Sequence, residues 1–213
     1  IPFVQNISQF DVFTIPSSYQ LLPAPGTLQV VDEDFEPVNI DIYDPKTWSK
    51  YGWNPIDEKK FAKEFSTAER RAAPAFFAAM LSRAKRLHEA LSVTADPKGV
   101  QFELVGSDCK ETLDTIVVYR DAKSNSYRTL FKASGFTKAG GAKITSEELK
   151  PIMYGPGDGT VTQRSFEMRT QAKLSGSALK AGPIKVACED HQQLGANVEL
   201  QLYLNKLFSG VKE

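Results

Sequence analysis

Two stretches carry the strongest signal of fold in the chain: Tyr154-Gly155-Pro156-Gly157-Asp158-Gly159-Thr160-Val161 and, further along, Ile184-Lys185-Val186-Ala187-Cys188-Glu189-Asp190-His191. The first hangs an aspartate among glycines, so its carboxylate is expected on a tight turn with little side-chain bulk around it. The second reads as a strand that ends in an acidic pair and a histidine, with a helix starting soon after. A histidine there belongs on a loop at the carboxyl end of a strand, where open α/β sheets place their ligands. A carboxylate that accepts a hydrogen bond from one imidazole nitrogen fixes the ring's tautomer and leaves the other nitrogen to take a proton from a serine hydroxyl. Asp158 before His191 also fits the α/β-hydrolase chain order of serine, then acid, then histidine. Asp190 is the rival carboxylate, but sequence neighbours seldom reach triad geometry.

Outward from these stretches, the chain alternates helical and extended signals. Pro183 to Ala187 is expected as a strand, and a helix from about Leu194 to Phe208 carries Leu200, Tyr203, Leu204 and Leu207 on one apolar face. Upstream, Val100, Phe102 and Leu104 alternate with polar residues as a strand entering a core. Ile116 to Tyr119 and Tyr127 to Phe131 flank Lys123-Ser124-Asn125-Ser126 as a β-hairpin. Lys138 to Lys143 reads as a loop, and Thr145 or Ser146 as the cap of a short helix. Phe61 and Phe65, then Phe76, Met80, Leu87 and Leu91 beyond Pro74, predict two helices or one kinked at that proline. From Ile1 to about Tyr51, repeated prolines predict irregular loops and short helices, as a lid or as an ordinary long connection. The class is therefore α/β, with residues 1–95 expected as a lid or cap and residues 96–213 as the C-terminal part of a hydrolase core.

Composition narrows the function. With 26 basic and 26 acidic residues in 213, the formal charge is zero and no basic patch favours nucleic acid. No apolar run is long enough to span a bilayer, and Ile1-Pro2-Phe3-Val4 lacks the pattern of a signal peptide. The chain opens without an initiator Met and reads as a truncated or processed piece, which leaves its compartment unknown. Cys109 and Cys188 lack C-x-x-C spacing; two buried thiols are the leading reading and a disulfide the alternative. Asp158, Asp190 and His191 do not amount to a metal set, and Gly155 to Thr160 lacks the Lys-Ser/Thr ending of a phosphate-binding loop. Neither metal nor cofactor is expected. His88 lies within a helical pattern with no second metal-binding side chain at helical spacing and receives no functional role.

Gly157-Asp158-Gly159-Thr160-Val161 with Arg164-Ser165, and His191-Gln192-Gln193-Leu194 with Asn197, resemble the C-terminal triad region of the lecithin:cholesterol acyltransferase-like lipases. Pro16-Ser17-Ser18-Tyr19-Gln20-Leu21-Leu22-Pro23 is similar to the segment that this family carries after its sixth sheet strand. Thr162 stands where many relatives have proline. The resemblance implies a serine-dependent lipase, phospholipase or acyltransferase on lipid esters, with Asp158 as triad acid, His191 as general base and a lid that would meet a membrane surface.

No serine in the chain has glycines two positions before and two after it, so the G-x-S-x-G elbow is missing, and no oxyanion-hole loop stands out. Ser107, after a strand, and Ser175 and Ser177, in a polar loop, read as structural. The nucleophile is then expected in a preceding portion or on a separate chain, and this chain alone should be inactive. A fragment of that kind would pair with its missing N-terminal half or with another copy of itself. A non-catalytic lipid- or protein-binding module built on a hydrolase relic is the other reading.

Overall fold

The computed structural model describes residues 8–92, 103–166 and 185–209. The protein is mixed α/β with small sheets, and it divides into two compact units. The boundary expected near residue 95 lies outside the described residues, as do Val100, Phe102, Pro183 and Ile184.

The first unit takes in the described residues up to 92 together with Val117–Leu130 and Phe136–Ile144. Ser8 and Asp11 form a capping box that starts the helix Gln9–Thr14, and Phe10 and Phe13, three apart, turn inward from it. Pro16 opens the 3-10 helix Pro16–Leu21, whose buried Tyr19 donates its hydroxyl to the Phe13 carbonyl at 2.8 Å. These pack with the long helix Thr67–Ser92, where Ala73, Phe77, Leu81 and Ala84 form one buried stripe. That helix runs through Pro74 without dividing. A proline inside a helix costs about 3 kcal/mol, but the stripe places buried residues on both sides of it, and their burial holds the helix together. Edge-on aromatic contacts fill the remaining space, such as Trp48 on Phe77 at 5.3 Å. The polar tips find partners: Trp48 Nε1 donates to Ile42 O at 2.6 Å, and Tyr43 Oη to Pro23 O at 2.7 Å.

The expected hairpin forms from Thr115–Arg120 and Tyr127–Leu130, in the register Val117 to Leu130, with the strand Gln29–Val31 on the other side of Thr115–Arg120. Asp121 closes its tip, accepting the amides of Lys123 and Ser124 on Oδ1 at 2.9 and 2.8 Å. Trp53 fastens the outer strand through a 2.7 Å bond from Nε1 to Thr129 Oγ1. The glycine-rich loop proves to be the tip of a second small hairpin, Phe136–Thr137 on Lys143–Ile144.

The second unit carries the two decisive stretches. Thr145 and Glu148 cap the helix Ser146–Met153 reciprocally, and its Leu149 and Met153 are fully buried. The chain leaves this helix straight into the strand Tyr154–Gly157, antiparallel to Lys110–Leu113. The tight turn expected to carry the aspartate follows at Asp158–Val161. Pro156 gives no local sign of strand, and the ladder is supplied by a partner 40-odd positions away in sequence, from Lys110 opposite Gly157 to Leu113 opposite Tyr154. Lys185–Val186 pairs in parallel with Val105–Gly106. The closing helix is broken: a 3-10 turn, Leu194–Ala196, precedes the helix Val198–Ser209, because Asn197 Oδ1 takes the Leu200 amide at 3.1 Å and caps a new start. Of its expected apolar face, Leu200 is buried while Leu207 stays 38% exposed.

Gly157 marks the tightest point of the second unit. A Cβ there would meet the Val161 carbonyl and come within 2.9 Å of Thr112 Cβ, whereas one at Gly155 meets nothing nearer than Asp114 Cβ at 3.5 Å. Gly157→Ala should therefore lower unfolding stability by about 3 kcal/mol, and Gly155→Ala should stay within about 0.5 kcal/mol of the parent chain. Urea midpoints of the two variants check this, and equal midpoints would refute it.

Candidate functional site

Asp158 and His191 come together. Asp158 Oδ2 lies 2.8 Å from His191 Nδ1, and the His191 amide donates to the Asp158 carbonyl, also at 2.8 Å. The other carboxylate oxygen, Oδ1, accepts the amides of Thr160 at 2.9 Å and Val161 at 2.6 Å. Gly159, at φ +87°, turns the chain so that both amides face back on the carboxylate. Its own amide is held by Thr112 Oγ1 at 2.8 Å. The carboxyl group is thus fixed by two amides, on a turn that Thr112 holds in place, before the imidazole reaches it.

Burial pushes the Asp158 carboxyl up, but the Val161 amide, the His191 ring and the Thr160 amide together outweigh it, and the net displacement is below the ordinary value of 3.8. Asp158 is therefore ionised at neutral pH and can only accept. Nδ1 must carry the proton of the shared bond, so in the neutral ring the lone pair sits on Nε2. Among the described residues nothing hydrogen-bonds Nε2, and the His191 side chain is 48% exposed against 6% for Asp158. A buried, saturated acid holds a base whose second nitrogen is open to a reactant.

The lowered carboxyl has a consequence for stability. A folded-state value below the unfolded one contributes stability above pH ~3.8 that is lost as pH falls through the folded value. The stability gap between the parent chain and Asp158→Asn should be full at neutral pH and close in acid below that point. Acid-limb unfolding curves of the two proteins test it, and a gap that persists or widens toward low pH refutes it.

The loop that carries His191 is laced to the opposite strand end residue by residue. Ala187 N donates to Gly106 O at 2.9 Å, Glu189 N to Ser107 Oγ at 3.2 Å, and Lys110 Nζ lies 3.4 Å from Asp190 Oδ1. Between them Cys188 is bonded to Cys109. The leading expectation of two buried thiols is corrected: with the strands Val105–Gly106 and Lys185–Val186 paired, the cysteines just beyond their ends stand 5.4 Å apart at Cα, within bridging range. Sequence spacing hides this because a parallel pairing joins segments with no local link.

Ser107 is fully buried, and its hydroxyl also reaches Gly157 O at 3.4 Å, which ties three segments and leaves it unable to meet a substrate. Thr112 escaped sequence reasoning; a threonine inside Lys110–Leu113 gives no signal until the strand's partner is known. Arg164 grips Asp114 with Nε and Nη2, at 2.9 and 2.7 Å from Oδ1, and so anchors the chain just after the Asp158 turn. Asp190 points to Lys110 rather than to the imidazole. His88 belongs to the first unit, beside Tyr43, with Nε2 buried and without a partner among the described residues. Among the described residues no cluster of three or more His, Cys, Asp or Glu side chains could hold a metal ion, and no helix is long and apolar enough to cross a membrane.

No protein-family model and no curated protein matches the chain.

Proposed function

We propose that Asp158 and His191 are the acid and general base of a serine triad in an α/β-hydrolase similar to the lecithin:cholesterol acyltransferase-like lipases. The reaction is acyl transfer from a lipid ester, to water or to an alcohol. The observation that carries the reading is the 2.8 Å contact between a buried, doubly amide-bonded carboxylate and Nδ1 of a half-exposed imidazole whose Nε2 is open. In that arrangement the base takes the serine proton on Nε2, and the carboxylate stabilises the imidazolium that results.

The serine and the oxyanion hole come from a preceding portion of a longer protein or from a separate chain, since no serine here sits in a G-x-S-x-G elbow. Val198, Leu202 and Phe208 are exposed on the closing helix, which supports a face covered by that portion. Val12 and Leu21 are exposed on the short N-terminal helices and Ile15 on the link between them, in keeping with a lid that meets a lipid surface. The test is an activity screen of the full-length parent on short and long acyl esters, with and without an alcohol acceptor. Ester cleavage that depends on His191 supports the reading. A parent frame without a strand and G-x-S-x-G upstream would instead leave a lipid- or protein-binding module.

A further inference from the structure

The Cys109–Cys188 bridge occupies an unusual place, three residues before His191 and within the lacing that holds its loop. We infer that this disulfide is a redox-sensitive clamp on the His191 loop: closed, it keeps the imidazole on Asp158, and opened by a dithiol, it releases the ring from the carboxylate.

Three observations carry the inference. Residues 187–190 have no helix or strand of their own, so the position of His191 depends on tethers to neighbouring segments. The other tethers are not covalent: Ala187 N on Gly106 O at 2.9 Å, Glu189 N on Ser107 Oγ at 3.2 Å, His191 N on the Asp158 carbonyl at 2.8 Å, and the Lys110–Asp190 pair at 3.4 Å with both side chains well exposed. Exposed ion pairs of that kind hold little. The disulfide is the covalent rung among them. Both cysteines are exposed residues, so the bridge lies at the surface, where a small thiolate approaches from solvent. A structural bridge shielded in a core would offer no such access.

The chemical step balances within itself once the reductant is a dithiol. One thiolate attacks a cysteine sulfur, breaks the bond between the two Sγ atoms and forms a mixed disulfide. The reductant's second thiol then displaces that cysteine and closes the reductant into its own disulfide. Two electrons and two protons pass to Cys109 and Cys188, which end as thiols. Cys188 is by this reading a positioning residue that acts through His191. The regulation implied rests on the proposed triad, whereas the clamp itself is read on the imidazole and stands or falls separately.

The chain has two histidines, which makes the ring directly observable by nuclear magnetic resonance, with His88→Gln assigning the signals. In the oxidised full chain, His191 should show one tautomer with its proton on Nδ1. After treatment with dithiothreitol, with both thiols titrated, the Nδ1 proton should exchange at least about tenfold faster, and the two tautomers should mix. Cys109→Ser/Cys188→Ser without reductant should reproduce the reduced spectrum, while circular dichroism retains the helical signal. An unchanged exchange rate and tautomer in the reduced chain would overturn the clamp. So would loss of the whole fold in both the reduced chain and the double variant, because the bridge would then serve stability and not position. Ester hydrolysis is not measured in this experiment, so an inactive parent would sink the triad and leave the clamp, and the reverse outcome would do the opposite.

Discussion

On the proposed serine triad, His191→Ala in the protein assembled with its serine is expected to lower kcat for ester cleavage by about 10⁶-fold, with KM little changed. The ring is the group whose Nε2 stands open while Nδ1 is held at 2.8 Å by Asp158, so its removal takes away proton transfer and not substrate binding. Asp158→Asn should cost about 10⁴-fold, because an amide in place of the carboxylate no longer imposes the Nδ1-protonated tautomer or stabilises the imidazolium. The double variant should be no worse than His191→Ala, since the acid acts only through the base. Steady-state kinetics on one long-chain ester decide it. Equal kcat in parent and His191→Ala would remove the pair from catalysis, and additive losses in the double variant would mean that Asp158 has a role of its own.

The second large effect is on stability. Cys109 and Cys188 are 79 positions apart, and a bridge closing a loop of that length restricts the unfolded chain enough to stabilise the folded one by about 4 kcal/mol. Total stabilities of about 5–15 kcal/mol are usual, so the bridge-free protein should remain folded at room temperature with a much lower urea midpoint. The loss should appear equally in Cys109→Ala, Cys188→Ala and the double variant, because any one of them opens the loop. A loss under about 1 kcal/mol would mean that the segments on either side of the bridge stay together in the unfolded chain. This measurement reads the global equilibrium, while exchange at His191 reads a local opening, and the two can move independently.

Local chemistry made much of the molecule legible in advance. Thr145 or Ser146 announced the cap of a short helix and Lys123 to Ser126 between two extended runs announced a hairpin; both form, with Thr145 as the cap. These features depend on residues three to six positions apart, so their energetics are complete within the stretch that is read. The class, mixed α/β, follows from the same local signals. Asp158 and His191 could also be picked out, as a glycine-flanked acid and a histidine following a strand.

Features whose energy comes from distant segments stayed hidden. Tyr154–Gly157 is a strand only because Lys110–Leu113 lies beside it, and Gly157 is required there because Thr112 and Val161 leave no room for a Cβ. The bridge between Cys109 and Cys188 depends on the parallel pairing of Val105–Gly106 with Lys185–Val186, and Ser107 turned from an isolated serine into the tie among three segments by the same pairing. Pro74 left two helices or a single one as alternatives, and long-range packing chose: its local cost is real, but the buried stripe from Ala73 to Ala84 outweighs it once the aromatic cluster is assembled. Residue types on hand for chemistry, and the places of short-range turns and caps, are written in local sequence. That Asp158 and His191 meet at 2.8 Å, and which nitrogen is left open, comes from long-range pairings that no local pattern encodes.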